Sequence, residues 1–336
     1  MSLATKYRPK TFDDVVEQPI IVNSLKNMCH KDKLEHRNLL LVGSAGTGKT
    51  TLARIVGNEL NGCESDPIEI DAASNNGVEN MREIVQQAKS FPIGMKYKII
   101  IVDECHALSN AAWQSLLKVL EESPAKTVFI FCTTNPEKIP DTIISRLKVY
   151  RLSKISIQGI YNRLVTVLNA ESVTFDQDAA MMIAKLAGGG MRDALTMLDN
   201  VLSYTDNITV ESVRLALNLP DYDDFFKLLC AYSKHDNAFI TELLDSVYNG
   251  DSNFITWLSA FQAFVMNVLK YIYLKDINKT SIPDKYAEVF ASYGEAHAMA
   301  CIRLSNVLLQ LLKDIQFSDY QLELALSYLC RTRKEK

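Results

Sequence analysis

The stretch NLLLVGSAGTGKTTLARIVGNELNG, residues 38–62, decides the fold. A short apolar run leads into a glycine-rich loop. The text after it has helical spacing and stops at Asn61-Gly62, a suitable left-handed end. Gly43, Ser44, Ala45, Gly46, Thr47, Gly48, Lys49 and Thr50 match G-x-x-x-x-G-K-[ST], and a strand before with a helix after is the context this motif demands. Glycines let the backbone wrap a phosphate chain, while free N–H groups and the positive end of a helix favour the anion. Lys49 is expected to reach the β- and γ-phosphates, Thr50 to ligate magnesium, and Thr51 to follow it in the first helical turn.

Downstream, PIEIDA (67–72), KIIIVDE (98–104) and TVFIFCTT (127–134) read as strands alternating with helical patterns. IIIV and VFIF are continuous apolar runs, as in strands buried on both faces. The expectation is an α/β P-loop domain over residues 1–152, a parallel sheet between helices. Asp103, at the end of its strand, can reach the metal held by Thr50. Glu104 either polarises a water for attack on the γ-phosphate or caps the next helix. Thr133, Thr134 and Asn135 end the next strand; they either sense the γ-phosphate or form a turn before Pro136. His106 reads as packing or helix entry, with no catalytic role.

After Leu152 the β-rich runs cease and the periodicity turns helical. Residues 153–218 suggest a small lid of about three short helices, with Asp176 able to cap the middle one and Gly188-Gly189-Gly190 ahead of MRDALTMLDNVL. Residues 219–336 suggest an all-helical block with long apolar stripes such as FITWLSAFQAFVMNVLKYIYL, and the tail RTRKEK is too short to be a domain. Arg192 stands at the start of a helix, where a cation opposes the dipole; it is either a phosphate ligand supplied by the lid or a surface arginine. Arg146, in TTNPEKIPDTIISRLKVYRL (133–152), has no carboxylate near it in sequence except Asp141.

Lys plus Arg is 36 against 40 for Asp plus Glu, so no overall basicity advertises nucleic acid and any such contact must be local. The sequence has no apolar run of spanning length and no N-terminal apolar leader, which points to the cytosol. Cys29, Cys63, Cys105, Cys132, Cys230, Cys301 and Cys330 are scattered with no C-x-x-C pair, against both a disulfide framework and a zinc site.

The ordered series KYRPKTFDDVVEQ (6–18), GSAGTGKTTLAR (43–54), IEIDAASNNGVENMREI (68–84), KIIIVDECHALSNAAWQSLLKVLEESP (98–124), CTTNPEKIPDTIISR (132–146) and GGGMRDALTMLD (188–199) resembles the AAA+ clamp-loader ATPases. The likeness is greatest to the gamma/tau subunit of bacterial DNA polymerase III, and more distant to the small subunits of replication factor C. It is dense from residue 4 to about 200 and rests beyond that on length and helical character.

The resemblance implies an ATPase subunit that opens a sliding clamp and loads it on primer-template DNA, with ATP and magnesium bound and companion subunits in a pentamer. It places the protein in the cytoplasm of a bacterial or phage-infected bacterial cell. Tyr7, Arg8, Pro9, Val15, Val16 and Gln18 fall where the family holds adenine. Thr134, with Asn135 as alternative, falls at sensor 1 and Arg192 at sensor 2. Arg146 falls at the arginine finger that enters the next subunit's ATP site, so its partner is expected on another chain. Asn75 and Asn76, in the loop before a helix, and Arg82 are candidates for DNA phosphates; each reads equally well as a helix cap or a solvated charge.

The family's usual four-cysteine zinc module is replaced by ELNGCESDPIEIDA, so no zinc is expected. Leu147 stands where the finger motif carries cysteine. The long tail of tau subunits is missing after the helical block. The other readings are a non-hydrolysing structural subunit, against which Lys49, Thr50, Asp103 and Glu104 count, another AAA+ replication or helicase motor, and a nucleotide kinase.

Overall fold

Four of the longest apolar runs in the first half of the chain become neighbours in one sheet. In the computed structural model, which describes residues 1–30, 38–122, 124, 126–219, 221–250, 253–280 and 282–330, these are β1 (Leu39–Val42), β2 (Ile68–Asp71), β3 (Lys98–Asp103) and β4 (Thr127–Thr133). Pro220 and the tail 331–336 lie outside the described residues. A further strand, β5 (Lys148–Arg151), joins the edge, and the five run in the order β2-β3-β4-β1-β5 with every pairing parallel.

Because successive side chains on a strand point to opposite faces, the runs feed two cores. Leu40, Val42, Ile100, Val102, Phe129 and Phe131 pack under helices Val78–Lys89 and Asn110–Glu121, with Met81 and Trp113 fully enclosed. Leu39, Leu41, Ile99, Ile101, Ile130 and Cys132 meet helices Pro19–Cys29 and Lys49–Asn61 on the other face. Phe131 lies 5.5 Å from the Trp113 ring and is fully buried, so Phe131→Ala should cost about 3–5 kcal/mol. Register pairs Val42 with Thr133, so the loops after β1 and β4 leave the sheet side by side. That is the end at which β3 delivers Asp103.

The chain divides into two units, Met1–Val210 and Glu211–Lys336. Within the first, helices Ile157–Ala170, Gln177–Leu186 and Met191–Tyr204 form the expected small helical region. Two details differ from the sequence reading. Residues Thr174–Phe175 and Asn207–Ile208 form a parallel pair, too short for periodicity to reveal. Asp176 occupies the N-cap position, but its side chain makes no capping bond.

The second unit is helical, with α-helices among the described residues from Tyr222 to Leu329. Helix Phe254–Leu274 and helix Glu295–Asp314 share a core in which Phe225, Phe261, Phe290 and Leu308 are buried. Apolar stripes at helical spacing explain both helices. No helix among the described residues is long and apolar enough to cross a membrane.

Candidate nucleotide site

The glycine-rich loop leaves β1 and turns into helix Lys49–Asn61, with Gly46 and Gly48 at positive φ (71° and 99°), a conformation that excludes most side chains at little cost to glycine. Lys49 is buried, and its Nζ donates to the carbonyl oxygens of Gly43 and Ser44 at 2.9 and 3.1 Å. Thr47 ties the loop further through Oγ1 to the Ser44 carbonyl at 2.8 Å. Ala45, Gly46, Thr47, Gly48, Thr50 and Thr51 line a pocket with Lys49, while Gly43 and Ser44 face the lysine from behind.

Asp103 and Glu104 enter the same pocket from the end of β3. Thr50 Oγ1 donates to Asp103 Oδ2 at 2.6 Å. A hydroxyl and a carboxylate this close form the hard oxygen pair that magnesium selects, so these residues fit the metal that a P-loop implies. Glu104 adopts a left-handed backbone (φ 45°), and its N–H donates to Asp103 Oδ1 at 2.9 Å.

Thr134 Oγ1 lies 3.3 Å from Glu104 Oε2 and 2.7 Å from Asn135 Oδ1, whereas Asn135 turns its amide nitrogen to Glu137 at 3.0 Å. Of the two sensor candidates, Thr134 is the one that touches Glu104. His106 Nδ1 also lies 3.2 Å from Glu104 Oε2, a contact that the sequence reading of His106 as packing missed.

Tyr7, Arg8, Pro9, Val15 and Val16 line the other end of the pocket. Gln18 does not: its side-chain amide exchanges two bonds with the Ser153 backbone, donating to the carbonyl at 2.7 Å and accepting from the N–H at 3.1 Å. It therefore ties the N-terminal segment to the start of the lid. Tyr7 is held by the lid as well, its hydroxyl donating to Glu171 at 2.5 Å and its carbonyl accepting from Arg163 at 2.9 Å. The bond to Glu171 raises the Tyr7 hydroxyl above its ordinary pKa. Hydrogen bonds from Lys6 and then Tyr7 hold Glu171 below the usual carboxylate range.

Arg192 and Met191 complete the lining from the lid, with Arg163 beside them. Met191 N–H donates to the Gly46 carbonyl at 2.9 Å, so the lid's last helix starts against the phosphate loop. A Cβ on Gly46 would sit 3.0 Å from Gly190 Cα, which explains the small residues at this crossing. Burial first, and then the like charges of Arg54 and Arg192, pull the Arg8 guanidinium below its ordinary pKa. Neither Tyr7's contacts nor Arg163's position carries a sequence signal, because both pairings span more than a hundred residues.

Arg146 lies outside this pocket. Its Nε donates to Glu121 Oε1 at 3.0 Å, and its Nη atoms reach Glu121 and the Thr142 carbonyl. The expectation that it lacks a partner on its own chain is corrected: helix Asn110–Glu121 ends beside the turn that carries Arg146. Asn75, Asn76 and Arg82 are also elsewhere. Asn75 donates to the Asp71 carbonyl at 3.1 Å, the Asn76 carbonyl accepts from Ser109 N–H at 3.3 Å, and Arg82 pairs with Glu79 at 2.6 Å. Among the described residues no cluster of three or more His, Cys, Asp or Glu side chains is arranged to hold a metal.

Parallel strands in this order, the phosphate loop, the carboxylate pair and the helical lid define an AAA+ P-loop ATPase fold. The RuvB Holliday junction branch migration motor of Thermotoga maritima has the same fold, with a TM-score of 0.54 at 21% identity over 77% of this chain and 85% of that one. A family profile described as DNA polymerase III, delta subunit, matches residues 63–156, and one described as DNA polymerase III clamp loader subunit, ATPase lid domain, matches 159–207.

The chain belongs to the DNA polymerase III gamma/tau family. It is 33% identical to DNA polymerase III subunit gamma of Buchnera aphidicola subsp. Acyrthosiphon pisum over 81% of this chain and 79% of that protein. It is 34% identical to subunit gamma/tau of Mycoplasma genitalium over 83% of this chain, and 40% identical to subunit tau of Bacillus subtilis over 60%. It spans 51% and 39% of the length of those last two relatives.

Proposed function

We propose that the chain is the ATP-hydrolysing subunit of a sliding-clamp loader, which opens a ring-shaped clamp and places it on primer-template DNA within a pentamer of loader subunits in the bacterial cytoplasm. Family membership supports the assembly, since gamma and tau subunits are its relatives. The observation that carries hydrolysis is the convergence of Lys49, Thr50, Asp103 and Glu104 on one pocket, with Thr50 Oγ1 2.6 Å from Asp103 Oδ2. A purely structural subunit has no use for all four.

In this reading Lys49 exchanges the Gly43 and Ser44 carbonyls for phosphate oxygens of ATP, its substrate. Thr50 and Asp103 hold magnesium, which when bound neutralises developing phosphate charge. Glu104 accepts a proton from the attacking water, and Thr134 reports the state of the γ-phosphate to it. Tyr7, Arg8, Pro9, Val15 and Val16 hold the base. Arg192 adds a lid cation, and Arg146 acts on the neighbouring subunit. Asn75, Asn76 and Arg82 offer exposed polar groups to DNA phosphate. A three-part division at 1–152, 153–218 and 219–336 suits this assignment, with the last block as the collar.

The test separates binding from turnover. Lys49→Ala should abolish ATP binding, whereas Glu104→Gln should bind ATP and lose turnover by about 10²–10⁴-fold. Equal loss of affinity in both, with folding intact, would count against the assignment.

A further inference from the structure

His106 belongs to no motif of the nucleotide site, yet it bridges the ends of the two strands on which the site depends. It lies in the single 3₁₀ turn after β3, and its Nδ1 is 3.2 Å from Glu104 Oε2 and 3.2 Å from Thr133 Oγ1. Thr133 is fully buried at the end of β4 and is fixed there, its Oγ1 accepting from Asn135 N–H at 3.0 Å. The imidazole therefore rests on a rigid strand end and points a nitrogen at the glutamate.

The donors available to Glu104 are few. Thr134 has one hydroxyl proton, and its 2.7 Å contact to Asn135 is much better than the 3.3 Å contact to Glu104. His106 is then the nearer committed donor to Oε2, because a carboxylate oxygen only accepts and the shared nitrogen must carry the proton. Both contacts fall on the same oxygen, Oε2, while Oε1 makes no hydrogen bond among the described residues. One oxygen is anchored, and the other is left to take a proton.

We infer that His106 is a positioning residue for hydrolysis: it anchors one oxygen of the Glu104 carboxylate against the end of β4 so that the other oxygen faces the attacking water. This rests on the reading of Glu104 as the water-activating base. Rotation of a free glutamate about its side-chain torsions would otherwise spread that oxygen over several positions, and misplacement by about 1 Å can cost on the order of 10²-fold in rate.

The experiment compares His106→Leu, which removes the donor at similar volume, with His106→Asn, whose amide N–H can replace it. Steady-state ATPase is measured together with equilibrium binding of a fluorescent ATP analogue. His106→Leu should lower kcat on the order of 10–100-fold with ATP affinity and KM unchanged, and His106→Asn should recover most of it. In a Glu104→Gln background, His106→Leu should add no further loss.

Equal rates in His106→Leu and His106→Asn, a loss explained by weaker ATP binding, or additive losses in the double variant would overturn the inference. If Glu104→Gln is inactive while His106→Leu turns over like the parent, only the role of His106 falls. If Glu104→Gln itself turns over normally, the reading beneath it falls.

Discussion

Arg146 grips Glu121 through Nε at 3.0 Å, a pair that joins the end of one helix to the turn after another in the same chain. Both side chains are partly exposed, at 33% and 50%, so the pair is worth about 0.2–1 kcal/mol or less. A guanidinium held that weakly can be exchanged for a triphosphate presented by a neighbouring subunit. Glu121 then acts as a parking site that competes with the trans role. Glu121→Gln should change unfolding stability by no more than about 1 kcal/mol and leave ATPase in the assembled loader equal or raised. A large fall in assembled ATPase would make Glu121 part of the working site.

The Thr50 and Asp103 pair makes a separate claim about magnesium. Asp103→Asn keeps an oxygen for the Thr50 hydroxyl but removes the charge that the metal needs. The half-saturating magnesium concentration for ATPase should rise by about 10-fold or more, with helix Lys49–Asn61 undisturbed by circular dichroism. An unchanged magnesium titration would place the metal elsewhere.

How far the fold could be read beforehand depended on length and burial. IIIV and VFIF lie in strands buried on both faces, and their apolar text says so; β5 has the burial of an edge strand, with only Tyr150 enclosed, and KVYR carries little pattern. Local chemistry was equally legible: glycines in a loop, a carboxylate at a strand end, and the left-handed stop at Gly62. Pairings across distance were not. Nothing around Arg146 or Glu121 encodes their meeting, and Gln18 has the residue type of a pocket ligand although its amide is spent on Ser153. His106 sits two residues from Glu104, but only the 3₁₀ turn brings its nitrogen back to the carboxylate.

The two loop glycines at positive φ differ in a way that mutation can read. A Cβ at Gly48 would meet nothing within 4 Å, so Gly48→Ala should cost only the left-handed backbone, about 1–2 kcal/mol. A Cβ at Gly46 would also press on the Gly190 backbone at 3.0 Å. Gly46→Ala should therefore destabilise the first unit more than Gly48→Ala in urea unfolding. Equal losses would mean that the lid does not pack against the loop in solution.

Thiol reactivity follows burial. Burial pushes the Cys29 thiol up to about 12 and the Cys301 thiol up to about 11, and it raises Cys105 and Cys132 as well. A raised pKa means less thiolate at pH 8, and the thiolate is the nucleophile. Cys63 is the exposed one among the described cysteines. Iodoacetamide at pH 8 should label Cys63 first, and labelling of Cys105 and Cys132 should require denaturant. Early labelling of Cys132 in the native protein would show that the sheet opens readily.

The trans role of Arg146 can be tested without any structure of the assembly. A guanidinium is permanently charged and matches phosphate oxygens, and an arginine supplied by a neighbour can be worth about 10³–10⁵ in rate. Because Arg146 lies outside its own chain's pocket, Arg146→Ala should assemble and bind ATP yet hydrolyse it poorly. Lys49→Ala should fail for the opposite reason, with a finger to offer but no grip on phosphate. Neither variant alone should turn over. When they are mixed and co-assembled, an interface at which the Arg146→Ala chain supplies the nucleotide pocket and the Lys49→Ala chain supplies the arginine contains one complete site. Recovered ATPase in the mixture is the expected outcome. No recovery despite co-assembly seen by native mass measurement would leave Arg146 as the partner of Glu121 and nothing more.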